Sequence, residues 1–264
     1  MANKASRVSE DVAEVKRLID LGSARPSEIR RLRGRLQFAC GQLFGKCGAF
    51  AARHLRELAA GAGTRQLNPS ETLALEWWAA YLPDARPRSL GVGAATPPVC
   101  IFVDGAVEEL VTVGGVLFDR VSGRREMFGA VVPECLVDLW SEGRAGGQVI
   151  GQAELAPVAV AARLWQSALA GRNVLIFIDN DSAREALIRG YSPAWPSAEL
   201  IATTWLALAQ CRCRPWFARV PGPSNIADGP SRLQFETAGR LGAVLCDLPD
   251  QWLDWVRWSG TLQA

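Results

Sequence analysis

Four acidic residues stand where apolar segments end or helices begin, and together they could bind divalent cations. They are Asp104 in "IFVDGA", Glu154 in "QAELAPV", Asp179 in "FIDNDSA" and Asp228 in "NIADGPSR". Carboxylates gathered at one place repel each other unless cations neutralise them. Hard oxygen ligands favour Mg²⁺ or Mn²⁺, and two such ions about 3.5–4 Å apart form a site for phosphoryl transfer. The residue types and their placement therefore indicate metal-dependent phosphodiester chemistry.

Each of these carboxylates also has a purely structural explanation. Asp104 could begin a turn, and Glu154 could favour the N-terminus of its helix through the helix dipole. Asp179 or Asp181 could cap the following helix, with Asp181 the better candidate, and Asp228 is also placed as an N-cap. The functional interpretation depends on the four acidic residues occurring together.

The elements that must hold these residues predict a mixed α/β sheet. Three segments, "VCIFVDGA", "TVGGVLFDRVSG" and "RREMFGAVVP", are typical of an antiparallel meander. The helix "GQAELAPVAVAARLWQSALAG", the strand "NVLIFID", two helices, the strand "RPWFARV" and an amphipathic C-terminal helix "DQWLDWVRW" follow. The apolar run at residues 174–178 predicts a strand buried on both faces. Because binding groups gather where such strands end, we expect Asp179 at the end of its strand and Glu154 in the first turn of its helix.

The first part of the chain has helical periodicity instead. The segments "DVAEVKRLIDLG", "PSEIRRLRGRLQFACGQLF" and "NPSETLALEWWAAYL" place apolar residues at helical spacing. The last of them opens with Asn68, Pro69 and Glu71, the pattern of a capping box. Residues 83–98 are rich in proline, glycine and alanine and indicate a linker. We therefore divide the chain into a helical region (1–82), a linker (83–98) and an α/β domain (99–264).

Composition narrows the class of protein further. The net charge of +2 gives no strong single-sign field across the whole chain. Seven cysteines without paired spacing and a single histidine, His54, argue against a zinc site and fit a reducing compartment. The sequence has no apolar run of membrane-spanning length and no signal-peptide core. We expect an intracellular protein, of the cytoplasm or the nucleus, that does not contact a membrane.

From about residue 99 to residue 235, the sequence resembles the ribonuclease H domain of retroelement reverse transcriptases. The four motifs quoted above occur in the order of that family, and "N-x-A-D-x-x-S-R" after a strand is the most specific of them. The resemblance implies a five-stranded mixed sheet, in which three antiparallel strands precede parallel ones, flanked by helices. It also implies that Asp104, Glu154, Asp179 and Asp228 are the metal-binding set.

The resemblance implies cleavage of the RNA strand of an RNA·DNA hybrid with two Mg²⁺ ions, or with Mn²⁺ in their place. Asp104 would bridge both ions, Glu154 and Asp179 would complete one coordination shell, and Asp228 the other. Candidate contacts to the hybrid are Gln152, Asn180, Asn225 and Arg232. Phosphates could be bound by Arg219 and Arg232 or by the arginines of the second helical segment, for which a solvated helix face is an equally good explanation. Those arginines are Arg30, Arg31, Arg33 and Arg35.

The helical region is similar to the thumb or connection region that precedes this domain in retroelement polyproteins, through "LIDLGSARPSEIRRLRGRLQFACGQLFG". The chain contains no Y-x-D-D polymerase motif, so it would be the C-terminal part of a reverse transcriptase or a domesticated remnant. A polymerase domain on the full-length polyprotein is then a candidate partner. The loop "VPGPSN" departs from the family, because Pro223 stands about where many members have a histidine.

Two alternatives come from other functional classes. One is a catalytically inactive, hybrid-binding or structural module, which the missing histidine favours and the four carboxylates oppose. The other is an integrase or a 3′–5′ exonuclease. The ending "NIADGPSR" argues against the integrase, and the lack of a D-x-E pair in "FVDGAVEE" argues against the exonuclease.

Overall fold

The computed structural model describes residues 2–87, 96–141 and 149–257. The described residues form two units, one within residues 1–92 and the other within residues 93–257. The predicted linker lies partly outside the described residues, as do residues 258–264 at the end of the predicted α/β domain. In the part of the chain that the structure describes, no helix has the length and the apolar character needed to cross a membrane.

The first unit is helical, as its periodicity predicts. Apolar side chains from all four helices are buried together, among them those of Leu18, Leu36, Leu55, Trp77 and Trp78. The predicted capping box is confirmed at the fourth helix, where Asn68 Oδ1 accepts a hydrogen bond from Glu71 N at 2.9 Å. The elements are α1 (Ala5–Leu21), β1 (Ser23–Ala24), α2 (Pro26–Gln42), α3 (Ala49–Leu58), β2 (Arg65–Gln66) and α4 (Pro69–Tyr81).

The second unit is built around one mixed sheet. Its first strands are β3 (Val99–Val107), β4 (Val111–Phe118) and β5 (Arg125–Val131), followed by α5 (Glu134–Ser141), α6 (Ile150–Leu164) and α7 (Gln166–Leu169). The chain continues with β6 (Asn173–Ile178), α8 (Asp181–Arg189), α9 (Trp195–Gln210) and β7 (Arg214–Arg219). It ends in α10 (Asp228–Ser231), α11 (Glu236–Arg240), β8 (Val244–Leu245) and a 3₁₀-helix (Asp250–Trp255).

The sheet order is β7-β6-β3-β4-β5-β8. Strands β3, β4 and β5 are antiparallel, whereas β6 pairs parallel with β3, β7 with β6 and β8 with β5. The predicted fold class, a mixed α/β sheet with an antiparallel meander and parallel strands, is therefore confirmed. The sheet has one strand more than the five predicted, because β8 has only two residues and so leaves no periodic pattern in the sequence.

Two local predictions are wrong. The C-terminal segment forms a 3₁₀-helix after Pro249 rather than an α-helix, with Trp252 N bonded to Pro249 O at 2.8 Å. Strand β6 is fully buried on one face only: its residues alternate between buried and half-buried, and Leu175 and Phe177 are on the less covered side. That side is shielded partly by the strand's neighbours, since the rings of Phe177 and Phe102 stack at 4.6 Å. The strand is apolar along its whole length, although the described helices cover one of its two faces only partly.

Candidate active site

Parallel strand pairing brings the first two carboxylates together. Phe102 of β3 and Phe177 of β6 are partners in the register, and Asp104 and Asp179 each follow two residues later. Because the strands run in the same direction, both aspartates reach the same end of the sheet. The predicted position of Asp179 at the end of a core strand is confirmed, since β6 ends at Ile178.

Glu154 reaches these aspartates because α6 packs unusually close to β3. A Cβ atom on Gly105 would lie 2.1 Å from Ala153 O, so this strand position tolerates only glycine against the helix backbone. The prediction that Glu154 lies in the first turn is wrong, because α6 begins at Ile150 and Glu154 falls in its second turn. Its placement therefore comes from packing against β3 and not from the helix terminus.

Asp104, Glu154 and Asp179 form a cluster that could hold a cation. Each offers a carboxylate oxygen, and these oxygens lie within 4.8 Å of one another. Asp104 is only 5% exposed and Glu154 only 7%. Glu154 Oε2 and Asp179 Oδ1 are buried and have no hydrogen-bond partner among the described residues. Buried oxygens without donors fit a ligand that supplies positive charge.

The pKa values of Glu154 and Asp104 are both raised by burial and by the repulsion between neighbouring carboxylates. Burial raises the pKa of Glu154 to about 8, and the neighbouring charges of Asp104 and Asp179 add to the shift, against a hydrogen bond with Asn180. Burial also raises the pKa of Asp104 to about 6, which Asp179 and Asp228 increase and the Ser231 hydroxyl opposes. The fold thus concentrates negative charge that a divalent cation would stabilise.

The segment that contains Asp228 packs closely against two glycines of the sheet. Gly114 of β4 pairs with Asp104 on one side and with Gly129 of β5 on the other. A Cβ atom on Gly114 would lie 2.3 Å from Ser231 N, and one on Gly129 would lie 2.5 Å from Pro230 O. These glycines let α10 lie directly on the sheet beside Asp104.

Ser231 is a site residue that the sequence analysis missed. It is fully buried, and its hydroxyl donates a hydrogen bond to Asp104 Oδ2 at 2.5 Å. The same hydroxyl oxygen lies 2.9 Å from Asp228 O. Glycines at the positions of Gly114 and Gly129, inside otherwise apolar strands, were the sequence signal that a backbone packs closely there.

Asp228 lies apart from the three clustered carboxylates. Its side chain is 53% exposed, and Arg232 Nε donates to its Oδ1 at 3.1 Å. It is the first residue of α10, whose N-cap is Ala227, so the interpretation of Asp228 as an N-cap is wrong. Its charge nevertheless contributes to the raised pKa of Asp104, which places it in the electrostatic surroundings of the cluster.

The four candidate substrate contacts make mostly internal interactions. Gln152 is completely buried. Asn180 caps α8 by accepting a hydrogen bond from Ala183 N at 3.0 Å, so the preference for Asp181 as the cap is wrong. Asn225 is buried and donates to Val103 O at 3.0 Å, which ties its loop to β3.

Arg232, the fourth candidate contact, pairs with Glu108 as well as with Asp228. The loop in which a histidine is missing forms a 3₁₀-turn at Gly222–Ser224. A Cβ atom on Gly222 would lie 3.5 Å from Asp179 Oδ2, so this loop lies against the acidic cluster. Arg232 and the loop are therefore the candidates that border the cluster from the solvent side, whereas Gln152 and Asn225 are inside the fold.

Comparisons with known proteins give structural similarities only. No protein-family model matches the chain, and no curated protein matches it in sequence. Among solved structures, ribonuclease H1 of the archaeon Halobacterium salinarum NRC-1 is 18% identical, with 53% of this chain and 98% of that chain covered and a TM-score of 0.40. LC11-RNase H1, isolated from compost by a metagenomic approach, is 16% identical over 54% of this chain and 99% of that chain, with a TM-score of 0.43.

LC11-RNase H1 has also been solved in complex with an RNA/DNA hybrid, and in that form it is 15% identical to this chain. That alignment covers 53% of this chain and 98% of the other, with a TM-score of 0.39. At such low identity these similarities do not extend to individual catalytic residues.

Proposed function

We propose that the chain is a divalent-metal-dependent endonuclease that cleaves the RNA strand of RNA·DNA hybrids. One observation carries the proposal: Asp104, Glu154 and Asp179 place carboxylate oxygens within 4.8 Å of one another at one end of a mixed sheet. Two of these acids are almost fully buried, at a cost in folding free energy that a structural role does not explain. Carboxylates held in this way suit phosphodiester hydrolysis.

The residues fit Mg²⁺ or Mn²⁺, because the donors are hard oxygens with unmet charge. Asp104, Glu154 and Asp179 would hold one ion, and Asp104 with Asp228 a second. When bound, the pair would acidify the attacking water and stabilise charge on the leaving 3′-oxygen. Ser231 would fix the orientation of the Asp104 carboxylate, and Asn180 that of Glu154.

The substrate follows from the resemblance found in the sequence. Residues 99–264 would form the ribonuclease H domain, and residues 1–82 a thumb- or connection-like region of a retroelement reverse transcriptase. A polymerase domain on the full-length polyprotein would be its partner. Glu154 would favour RNA through a water-mediated contact with the 2′-hydroxyl.

The test is cleavage of a labelled RNA·DNA hybrid in Mg²⁺, and separately in Mn²⁺, by the parent and by Asp104→Asn. We expect the parent to cut the RNA strand and the variant to lose at least about a thousandfold in rate, because the change removes a charged metal ligand. Asp181→Asn is the matched control. Asp181 lies two residues beyond Asp179 but is 56% exposed and pairs with Arg184 and Arg219, so this variant should remain active.

The second candidate function is an inactive module that binds hybrids. The ion pair between Arg232 and Asp228 favours it, because Arg232 occupies the carboxylate that a second metal ion requires. The departure at Pro223 points in the same direction. Tight hybrid binding by the parent without any cleavage in Mg²⁺ or Mn²⁺ would establish this function and contradict the first.

A further inference from the structure

The nearly neutral charge of the chain conceals a strong asymmetry. Residues 1–92 contain 15 lysines and arginines against 9 acidic residues, whereas the remaining residues contain 14 against 18. Such a division is typical of a chain in which one part meets a polyanion. The first unit, which lacks the acidic cluster, is therefore the place to look for a phosphate-binding surface.

Several arginines of the first unit that could face such a ligand are held by internal partners. Arg17 pairs with Glu14 and Glu28, and Arg35 with Asp11. On α2, Arg31 pairs with Glu14, and Arg30 donates to Ala59 O at 2.9 Å. Of the four α2 arginines that the sequence offers for phosphate binding, these contacts leave Arg33 as the candidate for an external ligand.

Arg33 lines a cavity of about 370 Å³ together with Lys46 and Arg53. The cavity is formed by α2, by the loop after it and by the start of α3, and no acidic residue is among the described residues that line it. No ion pair joins Arg33 or Lys46 to a carboxylate among the side chains that the structure describes. Arg33 and Lys46 bring two positive charges to one recess, and these repel each other unless an anion enters it.

The walls of the cavity let a ligand approach the backbone. Small residues form much of the lining: Gly41, Gly45, Ala49 and Ala52. Gly48 also borders the cavity, but the Trp78 ring fills the space beside it, since a Cβ atom on Gly48 would lie 2.2 Å from that ring. Gly45 has a φ of +64°, a conformation that glycine adopts without strain. Helix α3 has ten residues and begins at this wall, so its dipole adds positive potential to that of Arg33 and Lys46.

We propose that this cavity, defined by Arg33, Lys46 and Arg53, binds a backbone phosphate of the nucleic acid on which the chain acts. The inference rests on the proposed function for the choice of nucleic acid, whereas the phosphate chemistry follows from the cavity alone. The site would contribute affinity that depends on salt and not on sequence. The first unit would thereby be a substrate-binding unit in its own right.

The experiment measures binding of a fluorescent RNA·DNA hybrid to the full chain in the Asp104→Asn background, without divalent ions, at several salt concentrations. The test variant is Arg33→Gln/Lys46→Gln/Arg53→Gln. The matched control is Lys4→Gln/Lys16→Gln/Arg56→Gln, which makes the same charge change at exposed residues of the same unit outside the cavity. Circular dichroism checks that both fold, and Lys46→Gln alone serves if the triple variant does not.

We expect the cavity variant to bind the hybrid about tenfold more weakly and to lower the salt slope by about one, as for the loss of one phosphate contact. The control should change affinity by no more than about twofold. Equal weakening in both variants, or none in either, would overturn the site.

A second arm uses inorganic pyrophosphate and thermal unfolding. If pyrophosphate stabilised the parent but not the cavity variant while hybrid binding was unaffected, the cavity would serve a free phosphorylated ligand, and the assignment to nucleic acid would be overturned. The proposed cleavage activity is measured separately in Mg²⁺ with Asp104 intact. Loss of that activity together with cavity-dependent hybrid binding would overturn the nuclease and leave the phosphate site standing.

Discussion

Buried carboxylates in the helical unit have cationic partners, and those of the acidic cluster do not. Among the side chains of the helical unit that the structure describes, each of the two buried acids contacts an arginine. In the acidic cluster, the hydrogen bonds come from Ser231 and Asn180, which carry no charge. The paired acids of the helical unit are Asp11 with Arg35 and Glu71 with Arg65.

The acids with cationic partners stabilise the fold, whereas the clustered acids are placed to bind a cation. A buried carboxylate bonded to a cation is destabilising to remove, because its partner is then left alone. A buried carboxylate among other carboxylates is destabilising to keep, until a cation binds. Neutralising Glu71 and neutralising Glu154 should therefore have opposite effects on stability. Asp11 is left out of this contrast, because burial raises its pKa despite the contact with Arg35.

The largest effect on stability is expected in the helical unit. Glu71→Gln removes the charge that pairs with Arg65, although glutamine can still accept the capping-box hydrogen bond from Asn68 N. Because Arg65 is partly exposed, the free energy of unfolding should fall by about 2–3 kcal/mol. Urea unfolding of the full chain measures it, with the partly exposed Glu76→Gln on the same helix as the control. A loss no larger than that of the control would contradict the stabilising role of the pair between Glu71 and Arg65.

Asp119 tests whether a cationic partner, and not the unit in which the acid lies, decides how neutralising a buried acid changes stability. It lies in the second unit away from the cluster, and burial opposes its ionisation. Hydrogen bonds from Arg172, Ser122 and Val121 N outweigh that cost and lower its pKa from 3.8 to about 2. Its stabilising contribution, about 2 kcal/mol, should be present above pH 4 and lost as the pH falls towards 2.

The measurement for Asp119 is the unfolding free energy against pH for the parent and for Asp119→Asn. The variant should be less stable at pH 6, and its stability should fall less between pH 4 and pH 2. Parallel curves for the two proteins would contradict the pairing argument for this residue.

The opposite sign is expected at Glu154. Burial and repulsion raise its pKa from 4.5 to about 8, so the folded state retains a proton that the unfolded state has lost between these values. Stability therefore falls as the pH rises through that window, and Glu154→Gln should stabilise the metal-free protein by about 1–2 kcal/mol at pH 8. Thermal unfolding in EDTA measures this gain, which should vanish near pH 4.5.

The same unfolding experiment in Mg²⁺ tests whether Glu154 binds the ion. The parent should gain thermal stability from the ion, and Glu154→Gln should gain less, because a ligand that binds the folded state alone stabilises it by mass action. A variant less stable than the parent in EDTA at pH 8 would show that Glu154 serves the fold after all.

The smallest effect is expected at Ser231. Ser231→Ala removes the hydrogen bond that the Ser231 hydroxyl donates to the Asp104 carboxylate, which should cost about 1 kcal/mol in stability and about tenfold in cleavage rate. The variant should also need more Mg²⁺ for half-maximal activity, a change that a purely structural role would not produce. Ser167→Ala, at an exposed serine of α7, provides the control. An unchanged Mg²⁺ requirement would leave Ser231 as a packing residue only.

The sequence was most informative where a candidate site residue interrupts or follows an apolar strand. Asp104 and Asp179 could be found because each interrupts an apolar run, and parallel pairing then brings them together. Glu154 could be found by motif, but its helical turn could not, since the start of α6 depends on residues without a capping signal. Ser231 was missed because its role depends on a contact between segments far apart in the chain.

Other errors share that cause. The two-residue strand β8 and the half-covered face of β6 both depend on which segments pack against the sheet, and local periodicity does not report this. Asn180 and not Asp181 caps α8, because the helix already includes Asp181 and the Asn180 side chain accepts the hydrogen bond from Ala183 N. In each case the local residue types were compatible with two structures, and tertiary contacts selected one.

The register between β3 and β6 has a consequence for the order of folding. Asp104 and Asp179 meet only when β3 and β6, which are separated in the chain by two strands and three helices, pair in parallel. Such non-local pairing forms late and slowly, because loop closure must precede it. No partly folded chain would present a complete set of cation ligands, so Mg²⁺ should slow unfolding while leaving the refolding rate almost unchanged.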